Sequence, residues 1–374
     1  MQIADFALER YFARWEFNVR HVLCASDVEP YPLGELLGLA DADTRTLWAN
    51  LRLGYTESLG HPLLRAEIAK LYESAAFDDV ITFTGAEEGI FLVMHALLRA
   101  GDHAIVVWPA YQSLFEVARS IGANVTFVPL EPSSWSLDPE AVLSVIRPTT
   151  RLIVVNYPHS PTGAVLARPV FECLTGEAER RGITLLSDEV YRYLEFDEHD
   201  RLPAAVDAGQ RTLSLGVMSK AFALAGLRVG WIATHDSSLR QRLAALKDYT
   251  TICGSAPSEI LALIALRARE RVLARSNHII AANLPLLDSF FARYDEQVEW
   301  VRPRAGSAAF PRMRSDEDGA IERLCTELVA QEGVLLLPGS QFGHPGNHFR
   351  IGFGRSDMPA ALEGLERFLR RRTA

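Results

Sequence analysis

The chain is poor in cysteine: Cys24, Cys173, Cys253 and Cys325 are the only four in 374 residues, and none forms a C-x-x-C pair. Thiols this far apart argue against a zinc ribbon or a disulfide framework and are expected to be buried or half-buried and free. Positive charge is also in deficit. The formal net charge is −9, whereas phosphate backbones select clustered Lys and Arg, so no nucleic-acid partner is expected. No run is apolar for long enough to span a bilayer. The start, MQIADFALERYFARWEF, is amphipathic and carries acids. It has no basic opening, apolar run and small-residue cleavage site, so the protein is expected to be cytoplasmic and off the membrane. The ten histidines show no H-E-x-x-H or similar spacing. His344 and His348 flank a Pro-Gly turn and read as loop residues, so no metal is expected. Repeats, low-complexity tracts and long linkers are missing too.

What remains is an ordinary globular composition, 48% hydrophobic and 23% charged, in a length that suits two lobes. The middle of the chain alternates short apolar runs with helical patterns. The runs 80–83, 104–108, 124–128, 152–155, 184–186, 212–215 and 229–233 read as buried parallel strands. Between them, 86–99, 114–121, 169–181 and 237–249 read as helices. The pattern predicts an α/β sheet covered on both faces. Residues 256–287 keep a helical period throughout and predict one long connecting helix. Beyond it, 298–303, 308–312, 333–337 and 348–353 read as strands between two helices, a smaller α+β lobe against which the first forty or so residues are expected to pack.

Chemistry-bearing residues gather after the strand-like runs, where parallel sheets bind ligands. Ser219-Lys220 opens the segment AFALAGLRVGW. Most lysines are solvated surface charges, but this one has apolar, Gly-containing surroundings. An amine kept from water loses proton affinity and becomes a better nucleophile and base. Arg228, eight residues on, lies between Leu227 and Val229. A buried guanidinium needs an anion; a phosphate fits it bidentately, and an ion pair with Asp or Glu explains the residue equally well. Asp188 and Tyr191 follow the run ITLL. An Asp there would hold a ring nitrogen protonated, while helix capping accounts for the same acid. Gly85, Ala86 and Glu87 open a helix whose free N–H groups suit a phosphate, or merely a helix start with acids favourable to its dipole. Tyr111 is placed to lie against a ring, or simply to pack.

Together these residues resemble the class I/II aminotransferases, the pyridoxal phosphate (PLP) dependent enzymes of fold type I. The likeness rests on S-K-A-F-A-L-A-G-L-R-V-G-W at Ser219 to Trp231, D-E-V-Y at Asp188 to Tyr191 and P-H-S-P-T-G at Pro158 to Gly163. It implies a large domain with a mostly parallel seven-stranded sheet between helices, plus a smaller α+β domain. The implied boundaries are 1–45 for an N-terminal arm and part of the small domain, 46–280 for the large domain and 281–374 for the small one. Lys220 would hold PLP as an internal aldimine and then carry the proton between Cα and C4′. Asp188 would pair with the ring nitrogen, Tyr191 with the ring hydroxyl, and Tyr111 would stack on the ring. Gly85, Ala86 and Glu87, through backbone N–H groups, would hold the phosphate with Ser219 and Arg228. Arg350 would clamp the substrate carboxylate. Tyr55 would reach the phosphate across a homodimer interface.

The chain departs from the family where N-P-T-G becomes Ser160-Pro161-Thr162-Gly163. Ser160 is shorter than the usual Asn, so the ring hydroxyl and substrate carboxylate would be met through water or by Asn156 nearby. Val217 stands where a Ser or Thr often meets the phosphate, which removes one hydrogen bond. Gly306-Ser307-Ala308-Ala309-Phe310 carries small residues that point to a roomier pocket. The activity implied is transfer of an α-amino group between an amino acid and a 2-oxo acid by a ping-pong route. Ser160 and the segment S-D-V-E-P-Y-P-L-G-E-L-L at Ser26 to Leu37 keep open a β-eliminating or cyclising lyase, of the C–S lyase or capreomycidine synthase kind. A non-catalytic PLP-binding regulator usually appends a DNA-binding module, and none is visible. A nicotinamide dehydrogenase is disfavoured by the lack of G-x-G-x-x-G after the first strand.

Overall fold

The computed structural model describes residues 2–315 and 317–373. Helix α1 (Ala7–Trp15) leads into strand β1 (His21–Val22) and helices α2 (Leu33–Leu37), α3 (Ala42–Ala49) and α4 (Pro62–Ala69). The central part then alternates: β2 (Val80–Phe83), α5 (Gly85–Leu97), β3 (His103–Trp108), α6 (Ser113–Ile121), β4 (Asn124–Pro129), α7 (Pro139–Ser144), β5 (Thr150–Asn156), α8 (Arg168–Arg181), β6 (Thr184–Asp188), β7 (Thr212–Val217), β8 (Gly230–Ala233) and α9 (Ser237–Lys247). Asp138 and Asp236 accept first-turn N–H groups of α7 and α9. Gly122 and Gly182 end α6 and α8 with φ of 93° and 69°, a left-handed stop that glycine adopts without a Cβ clash.

Strands β2 to β8 form one seven-stranded sheet in the order β2-β8-β7-β6-β5-β3-β4. The pairs among β4, β3, β5, β6 and β7 are parallel. Strand β8 corrects the expectation that every run is parallel: it is antiparallel to both β2 and β7. All four of its residues are buried, and a strand covered on both faces shows no alternation that could reveal its direction. The connection from β7 to β8 holds a 3-10 turn, Ala225–Leu227, in place of a crossover helix, so the chain returns antiparallel.

The expected long helix is two helices, α10 (Ala256–Arg267) and α11 (Arg269–Arg293). Ala268 leaves the helical region at ψ 21°. Buried positions run on through Leu266 to Val272, Ser276 and Ile280, so the apolar period crosses a one-residue break without a sign of it. The remaining elements are β9 (Val298–Glu299), β10 (Ala308–Ala309), β11 (Arg312–Met313), α12 (Ala320–Glu332), β12 (Val334–Leu335), β13 (Leu337–Pro338), β14 (Phe349–Gly352) and α13 (Met358–Thr373). These strands are shorter than the apolar runs suggest, and β14 pairs with both β10 and β13.

The N-terminal segment is threaded into this C-terminal part. Strand β1 runs parallel to β12, His21 opposite Val334. Gly352 N–H donates to Leu23 O at 2.6 Å, and Glu29 N–H to Gly354 O at 2.8 Å. Arg355 holds the Asp27 carboxylate at 2.8 and 2.9 Å. A Cβ on Gly352 would overlap the Ala25 carbonyl, and one on Gly354 would come 2.5 Å from Asp27 O. Residues 23–29 therefore form a strap that needs glycine beneath it. Replacing Gly352 with Ala should lift the strap and cost about 1–3 kcal/mol, read as a melting temperature several degrees lower; an unshifted melting curve would show that the strap yields freely.

Candidate active site

Because β2, β3, β5, β6 and β7 run the same way, their carboxyl ends share one edge of the sheet. Gly85–Glu87 follow β2, Tyr111 follows β3, Asn156 ends β5, Asp188 ends β6 with Tyr191 beyond it, and Ser219-Lys220 follow β7. Strand β8 runs the other way and so brings its amino end, with Arg228, to the same edge.

Asp188 lies at the centre. It pairs in register with Asn156 on one side and Leu215 on the other. Its side chain is buried and accepts Val190 N–H at 3.2 Å. No ion pair to it occurs among the described residues. Burial pushes its carboxyl up to about 7, Glu87 raises it further, and Lys220 works the other way. The Lys220 Nζ donates to Ser26 Oγ at 2.9 Å and lies 5.5 Å from the Tyr191 ring centroid. The Tyr191 hydroxyl donates to Ser26 O at 2.7 Å, so its proton is directed to the strap and an oxygen lone pair is left for another donor.

Asn156 is turned to the main chain. Its amide donates to Asp188 O at 2.9 Å, and its carbonyl oxygen accepts Ser160 N–H at 2.8 Å. It braces the turn that carries Ser160. Val217 is buried and pairs with Gly230, and Ser219 is buried beside Lys220.

The start of α5 forms a cradle. Gly85 has φ 78°, and no Thr84 side-chain hydrogen bond caps the helix. A Cβ on Gly85 would come 2.5 Å from Arg228 Nη2, and one on Gly230 would come 2.8 Å from Ala86 N. The glycines thus let Arg228 and β8 close on the first-turn N–H groups, the geometry an anion requires. Arg228 is not buried as the apolar neighbours suggest: its side chain is exposed. It sits at φ 53° in the turn before β8, which turns it outward while Val229 is buried.

Arg350, on β14, is 3% exposed. Its Nε donates to Cys24 O at 2.9 Å, and its guanidinium lies 5.5 Å from the Phe12 ring and 5.6 Å from the Phe342 ring. It has no ion pair among the described residues, so its Nη groups are free for an anion in an apolar setting. Helix α1 closes over this region. Phe6 lies 5.0 Å from Tyr111, and the Tyr111 hydroxyl donates to Glu9 Oε1 at 2.8 Å. Burial first, then the Glu87 and Glu9 charges, hold the Tyr111 phenol well above its ordinary range. Burial also raises Glu87.

Ser26 and Glu9 went unread in the sequence as site residues, whereas Ser307 belongs to the run of small residues expected to widen the pocket. Ser307 donates to Ser26 O at 2.8 Å, so this small side chain meets the strap, not open space. Tyr55 is 90% exposed and stands apart from the other candidates. Cys24 and Cys325 are buried, Cys173 and Cys253 half-buried, and all four are free. Among the described residues no cluster of three or more His, Cys, Asp or Glu could hold a metal, and no helix is long and apolar enough to cross a membrane.

The family model for aminotransferase class I and II matches residues 38–365. The chain belongs to that family. Capreomycidine synthase from Streptomyces vinaceus is 33% identical over 369 residues, covering 97% of this chain and 92% of the relative. A PLP-dependent aminotransferase from Streptococcus suis has a solved structure with TM-score 0.92 and 30% identity, covering 99% of each chain. The solved PLP-dependent cyclase OrfR gives TM-score 0.90 and 30% identity, covering 100% of this chain and 98% of that one. The fold is therefore that of the PLP-dependent enzymes of fold type I, and pyridoxal phosphate is the cofactor. The residues present fit it: an unpaired buried acid at Asp188, an uncapped helix start beside Arg228, and an amine at Lys220.

The buried Asp188 gives a pH test for this class I/II aminotransferase-family chain. In the cofactor-free chain Asp188 keeps its proton up to about 7, whereas the unfolded chain releases it near 4. The native state binds the extra proton between those values, so stability falls as pH rises from about 4 to about 7, by a few kcal/mol at most. Asp188→Asn should flatten part of that slope and leave the part due to Glu189, which burial also raises to about 7. Melting temperatures at pH 5 and pH 8 test this: equal slopes in both chains would contradict a carboxyl buried without a cation.

Proposed function

We propose that the chain is an aminotransferase that moves an α-amino group between an amino acid and a 2-oxo acid, with Lys220 as the residue that carries the cofactor and moves the proton. The observation that carries the reading is that Lys220, just after β7, and the buried, unpaired Asp188, ending β6, lie at the same edge of the sheet. Pyridoxal phosphate supplies an aldehyde for the amino group and a protonated ring that draws charge from Cα.

In this reading Asp188 holds the proton on the ring nitrogen, because a carboxylate buried there is stabilised by a cation. Gly85, Ala86 and Glu87 bind the phosphate through N–H groups at the helix start, with Ser219 and Arg228 beside them. Tyr191, its proton given to Ser26 O, offers its oxygen to a donor near the ring. Arg350 binds the substrate carboxylate, which satisfies a guanidinium that is costly to bury alone. Asn156 holds the turn of Ser160 so that the serine faces the substrate side. Tyr111 packs beside the ring, with Phe6, the residue before α1, against it. With the cofactor in place, Lys220 would serve as the general base that takes the Cα proton and as the acid that gives it back at the cofactor's C4′, across the nitrogen. Helix α1 covers Arg350 and Tyr111 and keeps water from the exchange.

The active form is a homodimer in which Tyr55 reaches the phosphate of the partner's site. Leu53, Tyr55 and Tyr249 are 86%, 90% and 91% exposed, an amount of bare apolar surface that favours a partner. Residues 46–280 act as the cofactor-binding domain, with 1–45 and 281–374 supplying the strap, the lid helix and Arg350. The setting is cytoplasmic. Tyr55→Phe should lose cofactor on dialysis roughly five- to ten-fold faster, followed by absorbance; retention equal to the parent would remove Tyr55 from the site.

A second reading is favoured by the names of two nearly full-length relatives, a capreomycidine synthase and a PLP-dependent cyclase. In it the same Lys220 removes the Cα proton, and the charge expels or replaces a β-substituent. A panel of amino acids without any 2-oxo acid separates the two. A transferase converts about one equivalent per site and halts; continued turnover would replace the first reading with the second. Under either reading Lys220→Ala should abolish the borohydride-fixed adduct and cut turnover by at least about a thousand-fold.

A further inference from the structure

Lys220 reaches across the molecule to Ser26, 194 residues away in sequence, and among the described residues Ser26 Oγ is the one hydrogen-bond partner of its side chain. The serine does not float. Its carbonyl accepts from the Tyr191 hydroxyl at 2.7 Å and the Ser307 hydroxyl at 2.8 Å. On either side of it, Cys24 O is held by Arg350 and the Asp27 carboxylate by Arg355. Ser26 Oγ is therefore a fixed point, anchored through its own main chain.

We propose that Ser26 is a positioning residue for the Lys220 amine, holding it in place in both of its protonation states. The inference rests on the reading of Lys220 given above. A lysine that serves as a base must exist charged and uncharged at the same spot. A carboxylate partner would grip the ammonium through a charge-assisted bond and resist its deprotonation. A hydroxyl is indifferent: it accepts from the ammonium and, by rotating its own hydrogen, donates to the free amine. The Tyr191 face, 5.5 Å from Nζ, offers attraction to the cation but no direction. Without Ser26 the amine keeps its chemistry and loses its aim, and proton transfer depends steeply on aim.

The variant Ser26→Ala removes the hydroxyl and leaves the carbonyl that Tyr191 and Ser307 hold, so the strap keeps its anchors. Holoenzyme is assayed for kcat and KM. The same chains are then stripped of cofactor with hydroxylamine, mixed with pyridoxal phosphate, and followed by absorbance with borohydride trapping at Lys220. Ser26→Ala is expected to lower kcat about ten-fold with KM changed less than about two-fold, and to slow attachment about ten-fold. Ser26→Thr, which keeps the oxygen, should stay within about three-fold of the parent in both. If Ser26→Ala does not fold, Ser26→Cys takes its place, with similar size, a poor acceptor and the same expected losses. Attachment and kcat equal to the parent would overturn the proposal, as would a loss in kcat with normal attachment, which would make Ser26 a substrate contact. Failure of the parent itself to trap at Lys220 would instead overturn the reading on which the proposal rests.

Discussion

Parallel pairing of β3, β4, β5, β6 and β7 is the constraint from which the rest of the molecule follows. Adjacent parallel strands cannot be joined by a tight turn, so the chain must cross back over a face of the sheet each time. Every strand then ends at the same edge, and every following turn lies there. Asn156 and Asp188 sit opposite each other because β5 and β6 pair in that register, and Lys220 lies one turn past the next strand. The reversed β8 adds the one thing a wholly parallel sheet could not supply: an arginine before a strand, at the edge where the others end. The helix of the first crossover begins with bare N–H groups at that edge too.

The edge carries charges that the protein alone leaves unbalanced. Asp188 and Arg350 are both buried, and among the described residues neither has an ion-pair partner. An unpaired buried charge costs several kcal/mol, and a carboxyl that keeps its proton to avoid that cost forgoes its charge-assisted bonds, so the protein alone satisfies neither group. In the proposed roles the ligands satisfy both, a protonated ring at Asp188 and a carboxylate at Arg350. The acid answers the missing cation by holding its own proton; the guanidinium, unable to lose one, lies 5.5 Å from the Phe12 ring and 5.6 Å from the Phe342 ring.

The strands of the large sheet were readable because their runs are short, apolar and β-branched, and the residues after them carried the resemblance. What the sequence hid has physical reasons. The direction of β8 was hidden because a strand buried on both faces has no alternation. The break at Ala268 was hidden because a single residue leaving the helical region hardly disturbs the apolar period. Arg228 was expected inside because its neighbours are apolar, but a left-handed turn points consecutive side chains apart. Ser26 and Glu9 were missed because their partners, Lys220 and Tyr111, lie 194 and 102 positions away, and a lone serine or a helical glutamate gives no local sign of a distant contact. The small residues at Ser307 were read as room for substrate when one of them buttresses the strap.

In the proposed roles the strap bears on the outcome of the reaction as well as on the fold. In those roles Lys220 and Asp188 account for removal of a proton from Cα, a step that transfer, elimination and cyclisation all require. They cannot by themselves choose among the outcomes, because the choice is made after the proton has left, by whatever lies beside the carbon and directs the next proton or the next bond. In this chain that neighbourhood is built from the N-terminal segment: Cys24 O on the arginine, Ser26 on the lysine, and α1 laid over Tyr111. The segment Ser26 to Leu37, which keeps the lyase reading open, belongs to the same piece of chain. In this reading the proton chemistry and the choice of outcome sit on separate pieces of chain. On that division the sheet edge would supply the proton chemistry, and the strap, held down over Gly352 and Gly354, the surface against which the reacting carbon is turned.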